Sequence, residues 1–229
     1  MAHLHTQPHG HDVTISAWIL RRREGRWQAL VHLHRKMGLW LQPGGHVEHT
    51  ENPWQGLVHE LREETGYEIG QLRVLQPFEP LPDGVHDVMH PTPVLMTTHS
   101  PYPGHFHSDI VMAMVTDADP AGAPRPGEST QFAWVDPAQF AALPEAEPDA
   151  VTIMTMIVER VADTWIQVPA TRWSLDDAPA EPLTHRSVAE ATAPDPLDDR
   201  EDAPLQPPSH PTRPQESPSP HDPTTDVRP

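Results

Sequence analysis

Three glutamates on one short stretch, Glu60, Glu63 and Glu64, are the densest chemical feature of this chain. Residues three and four apart are neighbours on a helix surface, so a helix there gathers all three on one face. Carboxylates that close repel one another, and unless solvated or partly protonated they need a cation. Clustered carboxylate oxygens suit a hard divalent ion such as Mg²⁺ or Mn²⁺. From charge alone, an acidic helix face in water is the commoner arrangement. Just upstream, Gly44 and Gly45 let the backbone approach a ligand or metal closely, which a side chain would prevent.

The element that must position these groups is a helix with its own punctuation. Asn52 is the expected N-cap, Pro53 the first helical residue, and Gln55 stands three after the cap. Gly66 supplies the stop. Trp54, Leu57, Val58 and Leu61 recur at helical spacing and predict one buried face. The basic residues before the glycine pair, Arg35 and Lys36, stand near that turn, where they would face a substrate's phosphates, with Gly44 beside them as an expected substrate contact.

Residues 45–67 closely resemble the Nudix box, G-x5-E-x7-R-E-U-x-E-E-x-G-U, where U is a bulky aliphatic residue. Gly45, Glu51, Glu60, Leu61, Glu63, Glu64 and Gly66 match in register. His59 stands where that family has Arg, and Tyr67 replaces the last aliphatic position. The resemblance implies an α/β fold, a Nudix-like α/β/α sandwich with a mixed sheet. It implies a Mg²⁺-dependent hydrolase, with Mn²⁺ as the other candidate ion. Such an enzyme cleaves a diphosphate linkage in a nucleoside diphosphate derivative or related small phosphorylated metabolite. It makes Glu60 and Glu64 metal ligands with the Gly45 carbonyl, and Glu63 the base or a further ligand. His59 takes the place of the Arg that orients the glutamates. Glu128 is the candidate for a downstream assisting acid, and Asp109 the second. The alternative is a Nudix-fold ligand-binding or regulatory module with little catalysis, for which His59 speaks. The retained glutamates favour an enzyme.

Composition bounds the partners. The formal net charge is -18 over 229 residues, which argues against binding a nucleic-acid polymer. The absence of cysteine excludes a disulfide framework and a thiol nucleophile. No early apolar run resembles a signal peptide and none is long enough to span a bilayer, so a soluble, cytoplasmic protein with no membrane partner is expected. Nothing in the sequence sets an oligomeric state. Residues 175–229 hold 12 acidic and 4 basic residues and 13 of the 30 prolines, and every aromatic residue lies at or before Trp173. That segment has too little apolar surface to offset its ordering entropy. The expected organisation is a flexible N-terminus at 1–11, a domain at 12–170 and a disordered Pro-rich acidic tail at 171–229.

Along the domain, strands are expected at 13–20, 27–32, 39–41, 71–75, 93–98, 107–116 and 132–135, with the first two forming a hairpin. Short and long helices are expected at 137–142 and 149–165. A proline-rich loop at 77–93 carries His86 and His90. His105, His107 and Asp109 alternate onto one strand face, as a His-x-His-x-Asp metal site or as a polar start to an apolar strand. His3, His5, His9 and His11 form either a metal tract or a frayed terminus.

Overall fold

The computed structural model describes residues 10–81 and 88–176. These all fall in one compact unit of the chain, Met1–Leu183; the second unit, Thr184–Pro229, lies outside the described residues. His3, His5, His9, His86 and residues 177–229 of the expected tail are likewise outside them.

The long strand β1 (Gly10–Arg23) is the axis of a nine-stranded mixed sheet. Its apolar run reads buried from Ser16 to Leu20 because both faces are covered. On one side β1 pairs parallel with β7 (His105–Val115) along eleven residues, Gly10 to Leu20. On the other it pairs antiparallel with two strands in turn. These are β4 (Gly44–His46) at Thr14–Ser16 and β2 (Arg26–Leu33) at Leu20–Arg23. Beyond β2 lie β3 (Trp40–Leu41) and β8 (Phe132–Val135); beyond β7 lie β5 (Arg73–Gln76), β6 (Leu95–Tyr102) and β9 (Ile166–Pro169).

Helices cover both faces, giving an α/β/α sandwich. One face takes α1 (Pro53–Thr65), whose Trp54, Leu57 and Leu61 pack on Ile15, Ala17 and Ile19 of β1 and on Met112 and Met114 of β7. Each such buried side chain contributes roughly 1.5–3 kcal/mol. The other face takes α2 (Pro137–Ala141) and α3 (Pro148–Arg160), whose Phe140, Met154 and Ile157 meet Trp18, Val111 and Ala113. Among the described residues no helix is long and apolar enough to cross a membrane.

Several expected boundaries move. β1 begins at Gly10, inside the segment expected to be flexible, because β7 pairs with it from His105 onward. The glycine pair expected as a turn forms β4, since β1 offers an open ladder there. The last helix ends at Arg160 rather than near 165, and the chain returns to the sheet as β9 against β5. The domain also continues past residue 170. Trp173 is buried, its ring 5.9 Å from that of Trp54, and the Leu175 carbonyl accepts from Gln55 Nε2 at 2.6 Å.

The ends of α1 are fixed as its punctuation predicts. Asn52 and Gln55 exchange a capping box, with bonds of 3.0 and 2.8 Å. Gly66 caps the other end at φ 76°, and its carbonyl accepts from Gly122 N–H at 3.0 Å. A Cβ at Gly66 would lie 2.5 Å from the Gly122 carbonyl carbon and oxygen. Gly66→Ala therefore combines a strained left-handed residue with a backbone clash, and should lower the free energy of unfolding by about 1–3 kcal/mol or more. Urea denaturation reads this; an unchanged midpoint would mean that the loop at Gly122 does not dock there.

Candidate functional site

The carboxylates are brought to β4 by α1. Gly44 N–H donates to Glu64 Oε2 at 2.9 Å. A Cβ on Gly45 would occupy the space of the Glu60 carboxyl group, so glycine here leaves that carboxyl free to lie against β4. Glu64 is buried, 5% exposed. Burial pushes its carboxyl up to about 8, against the lowering effect of the Gly44 N–H and with the charges of Glu60, Glu128 and Glu63 adding to the rise. Burial likewise lifts Glu60 to about 7, opposed by His59 and reinforced by Glu63, Glu128 and Glu51. A divalent cation fits this donor set. It removes the mutual repulsion that holds protons on two buried oxygen ligands. His32 Nε2 stands 3.8 Å from Glu64 Oε2. Burial and the neighbouring His34 push His32 down to about 4, so this approach is no ion pair at neutral pH.

Glu63 is held differently. His59 bridges two carboxylates, with Nδ1 3.0 Å from Glu51 Oε1 and Nε2 3.0 Å from Glu63 Oε1. Burial alone would lower His59, but the Glu63 hydrogen bond and the charges of Glu51, Glu63 and Glu60 outweigh it, so its pKa is raised. Arg125 also reaches Glu63 Oε1. Its backbone N–H donates to the Glu63 carbonyl at 2.7 Å, so the loop after β7 is stitched to the last turn of α1. A guanidinium therefore meets Glu63 even though His occupies position 59.

Glu60, Glu63, Glu64, His59, Gly44, Gly45, Glu128, Arg35 and Lys36 all line one cleft of about 760 Å³. Arg35 and Lys36 are exposed at its mouth, and Arg35 donates to the Gly127 carbonyl across it. Gly44, expected at the substrate, directs its N–H to Glu64 instead. Asp109, the second candidate acid, is absent from the cleft lining. It is buried between strands, accepting from Thr14 Oγ1 at 2.9 Å and Ser16 Oγ at 2.7 Å. Sequence reasoning missed Arg125, His32 and the bridging role of Glu51. Glu51 carried a signal, since it belongs to the matched spacing; the other two reach α1 only through the tertiary fold. On the opposite face of β4, burial and the imidazoles of His46, His99 and His105 push His107 down to about 4.

A family model for the NUDIX domain matches residues 10–156. A NUDIX-family hydrolase from Clostridium perfringens shares 21% identity and a TM-score of 0.53, over 66% of this chain and 97% of that one. The NUDIX domain of Shewanella oneidensis NrtR, in complex with ADP ribose, shares 15% identity and a TM-score of 0.49, over 66% and 88%. A NUDIX hydrolase from Nitrosomonas europaea shares 15% identity and a TM-score of 0.47, over 73% and 99%. At these identities the likeness is one of fold. No curated protein matches the chain.

The raised carboxyls set a pH dependence. Both groups sit above their ordinary value of 4.5 in the fold, so between about pH 4.5 and 8 the folded state holds more protons than the unfolded chain. Stability then falls as pH rises through that window. His59 acts with the same sign, its stabilisation being lost as pH rises through its raised pKa. Chelated protein should show a melting temperature that drops from about pH 5 to 8, with a shallower slope in Glu64→Gln. Added Mg²⁺ should raise it more at pH 8 than at pH 6. A slope identical in wild type and variant would remove Glu64 from this account.

Proposed function

The chain belongs to the Nudix family, and from that premise we propose that it is a pyrophosphohydrolase. Its substrate would be a nucleoside diphosphate derivative or a related small phosphorylated metabolite. The observation that carries this reading is the convergence of two carboxyl groups, buried Glu64 and half-buried Glu60, on Gly44 and Gly45 in a cleft with basic residues at its mouth.

When bound, Mg²⁺ or Mn²⁺ would neutralise charge on the diphosphate and help position the reactants. Glu60 and Glu64 would hold it, with the Gly45 carbonyl beside them. Gly44 fixes the Glu64 carboxylate through its N–H. Glu63 takes the proton of the attacking water. His59 and Arg125 both meet its Oε1, which turns Oε2 to that task. Arg35 and Lys36 steer and neutralise the substrate's outer phosphate. Glu128, across the cleft from α1, assists as a further acidic group facing Glu60 and Glu64. His59, which spoke for a binding module, is accompanied by Arg125 on the same carboxylate, so the loss of the box arginine does not leave Glu63 without a guanidinium.

Purified full-length protein with Mg²⁺ or Mn²⁺ should turn over at least one of the nucleoside triphosphates, nucleotide sugars, dinucleotides or ADP-ribose, and chelator should abolish the activity. Glu64→Gln preserves shape and removes a charge, and should lower kcat on the order of a hundredfold or more with the fold intact. Near-normal turnover in that variant would overturn the assignment of Glu64.

Glu63 gives a second test. His59→Ala and Arg125→Ala should each lower kcat on the order of tenfold, because a base held less firmly loses its near-attack geometry. The double variant should lose more than either. His59→Arg should retain activity and lose any pH dependence due to the imidazole. Full activity in the double variant would show that Glu63 needs neither neighbour.

A further inference from the structure

We propose that Asp12, His46, His105 and His107 form a second metal site, with a donor set distinct from the glutamates although His46 also lines their cleft, built for a zinc-class transition metal. One donor atom from each of these residues lies within 4.8 Å of all the others. Four of the six separations are short. His46 Nε2 and His105 Nε2 each stand 3.2 Å from His107 Nε2. Asp12 Oδ2 stands 3.3 Å from His105 Nε2 and 3.6 Å from His46 Nε2. Four donors placed tetrahedrally around zinc at about 2.0–2.1 Å are separated by about 3.3–3.4 Å. Four of the six separations, at 3.2–3.6 Å, are of the order of that tetrahedron's edges, and the other two lie within 4.8 Å.

The four donor atoms converge on one another. His107 Nε2 faces two other ring nitrogens, and one imidazole nitrogen offers either one proton or one lone pair. His46 and His105 each present the same Nε2 to both His107 and Asp12. A cation at the centre satisfies all four groups at once. Three imidazoles and one carboxylate suit zinc and its neighbours, whereas Mg²⁺ favours oxygen donors and octahedral geometry.

The site is built by the sheet. Parallel pairing sets Asp12 opposite His107 and Gly10 opposite His105, and antiparallel pairing sets His46 opposite Thr14. Alternation then puts Asp12, His105 and His107 on one face, where His46 joins them from β4. Tyr102 stacks on His105 with ring centroids 4.6 Å apart and planes within 7°, which fixes that imidazole's orientation. Asp12 and His105 are buried, 1% and 4% exposed, while His46 and His107 are half-buried and leave the cluster reachable from solvent. Asp109, the acid that follows the two histidines by strand alternation, is held by Thr14 and Ser16 and forms the layer beneath the site rather than part of it.

The test uses the full chain, stripped with chelator and kept in excess Mg²⁺ so that the glutamate site is occupied. Titrated Co²⁺ should give the intense visible absorption of four-coordinate cobalt at one equivalent, and Zn²⁺ should displace it. His46→Ala and His107→Gln, on different strands, should each lose that absorption and bind Zn²⁺ at least about tenfold to a hundredfold more weakly. Glu64→Gln should retain the signal, as should a variant with His3, His5 and His9 changed to Ala. Circular dichroism in chelator checks that each variant folds, and the wild-type spectrum needs no variant. Weak octahedral-type absorption in wild type would overturn the proposal. So would an equal signal in His46→Ala and His107→Gln, or loss of the signal on removing the N-terminal histidines. Failure here leaves the hydrolase reading intact, because Mg²⁺-dependent turnover is measured separately.

Discussion

The structure depends on crowding two carboxyl groups into a cleft whose burial disfavours their charged forms. Glu60 and Glu64 are one turn apart on α1, and both are turned toward β4, where the protein's low dielectric magnifies their repulsion. Everything around them limits the alternatives. Trp54, Leu57 and Leu61 lock the opposite side of the helix into the core, so α1 cannot rotate its acids into solvent without exposing them. The capping box at Asn52 and the Gly66 cap fix the helix along its axis. Gly45 leaves room for the Glu60 carboxyl, and Gly44 lets β4 lie close against the backbone of β1 at Ile15 and Ser16. An apolar anchor of several residues therefore maintains an electrostatically unfavourable pair, which a cation can relieve.

Much of this was legible before the fold was known. The cap, the first-turn proline, the apolar stripe and the stop lie within fifteen residues, and local signals report local structure well. The spacing of Gly45, Glu51, Glu60, Glu63 and Glu64 identified the family, and the family supplied the sandwich. What could not be read was pairing between distant segments. The glycine pair becomes a strand only because β1 presents an open ladder thirty residues earlier in the chain. β9 follows α3 without β-rich patterning, and exists because β5 has an unpaired edge. Arg125 comes to Glu63 because its loop docks on Gly66 and on the Glu63 carbonyl. Trp173, the last aromatic residue, was assigned to the tail by composition, yet it packs on Trp54. Composition averages over a window and does not see one tryptophan completing a core.

The three-residue strand β4 links these observations. Alternation along it sends Gly45 toward Glu60 beneath α1 and His46 toward Asp12, His105 and His107 on the other face. Such a strand is held by only a few ladder hydrogen bonds, at Thr14, Ile15 and Ser16. Yet the position of Glu64 is set partly by the Gly44 N–H. A ligand field on one face that fixed His46 would restrain the backbone that shapes the other. The two donor sets also differ in chemical hardness, oxygen on the α1 face and mostly nitrogen on the opposite one, so the ions that suit them differ. An imidazole at 46 and a hydrogen atom at 45 are thus opposite solutions to neighbouring problems. One residue reaches out to bind, and the next must be absent as a side chain so that a carboxylate can approach.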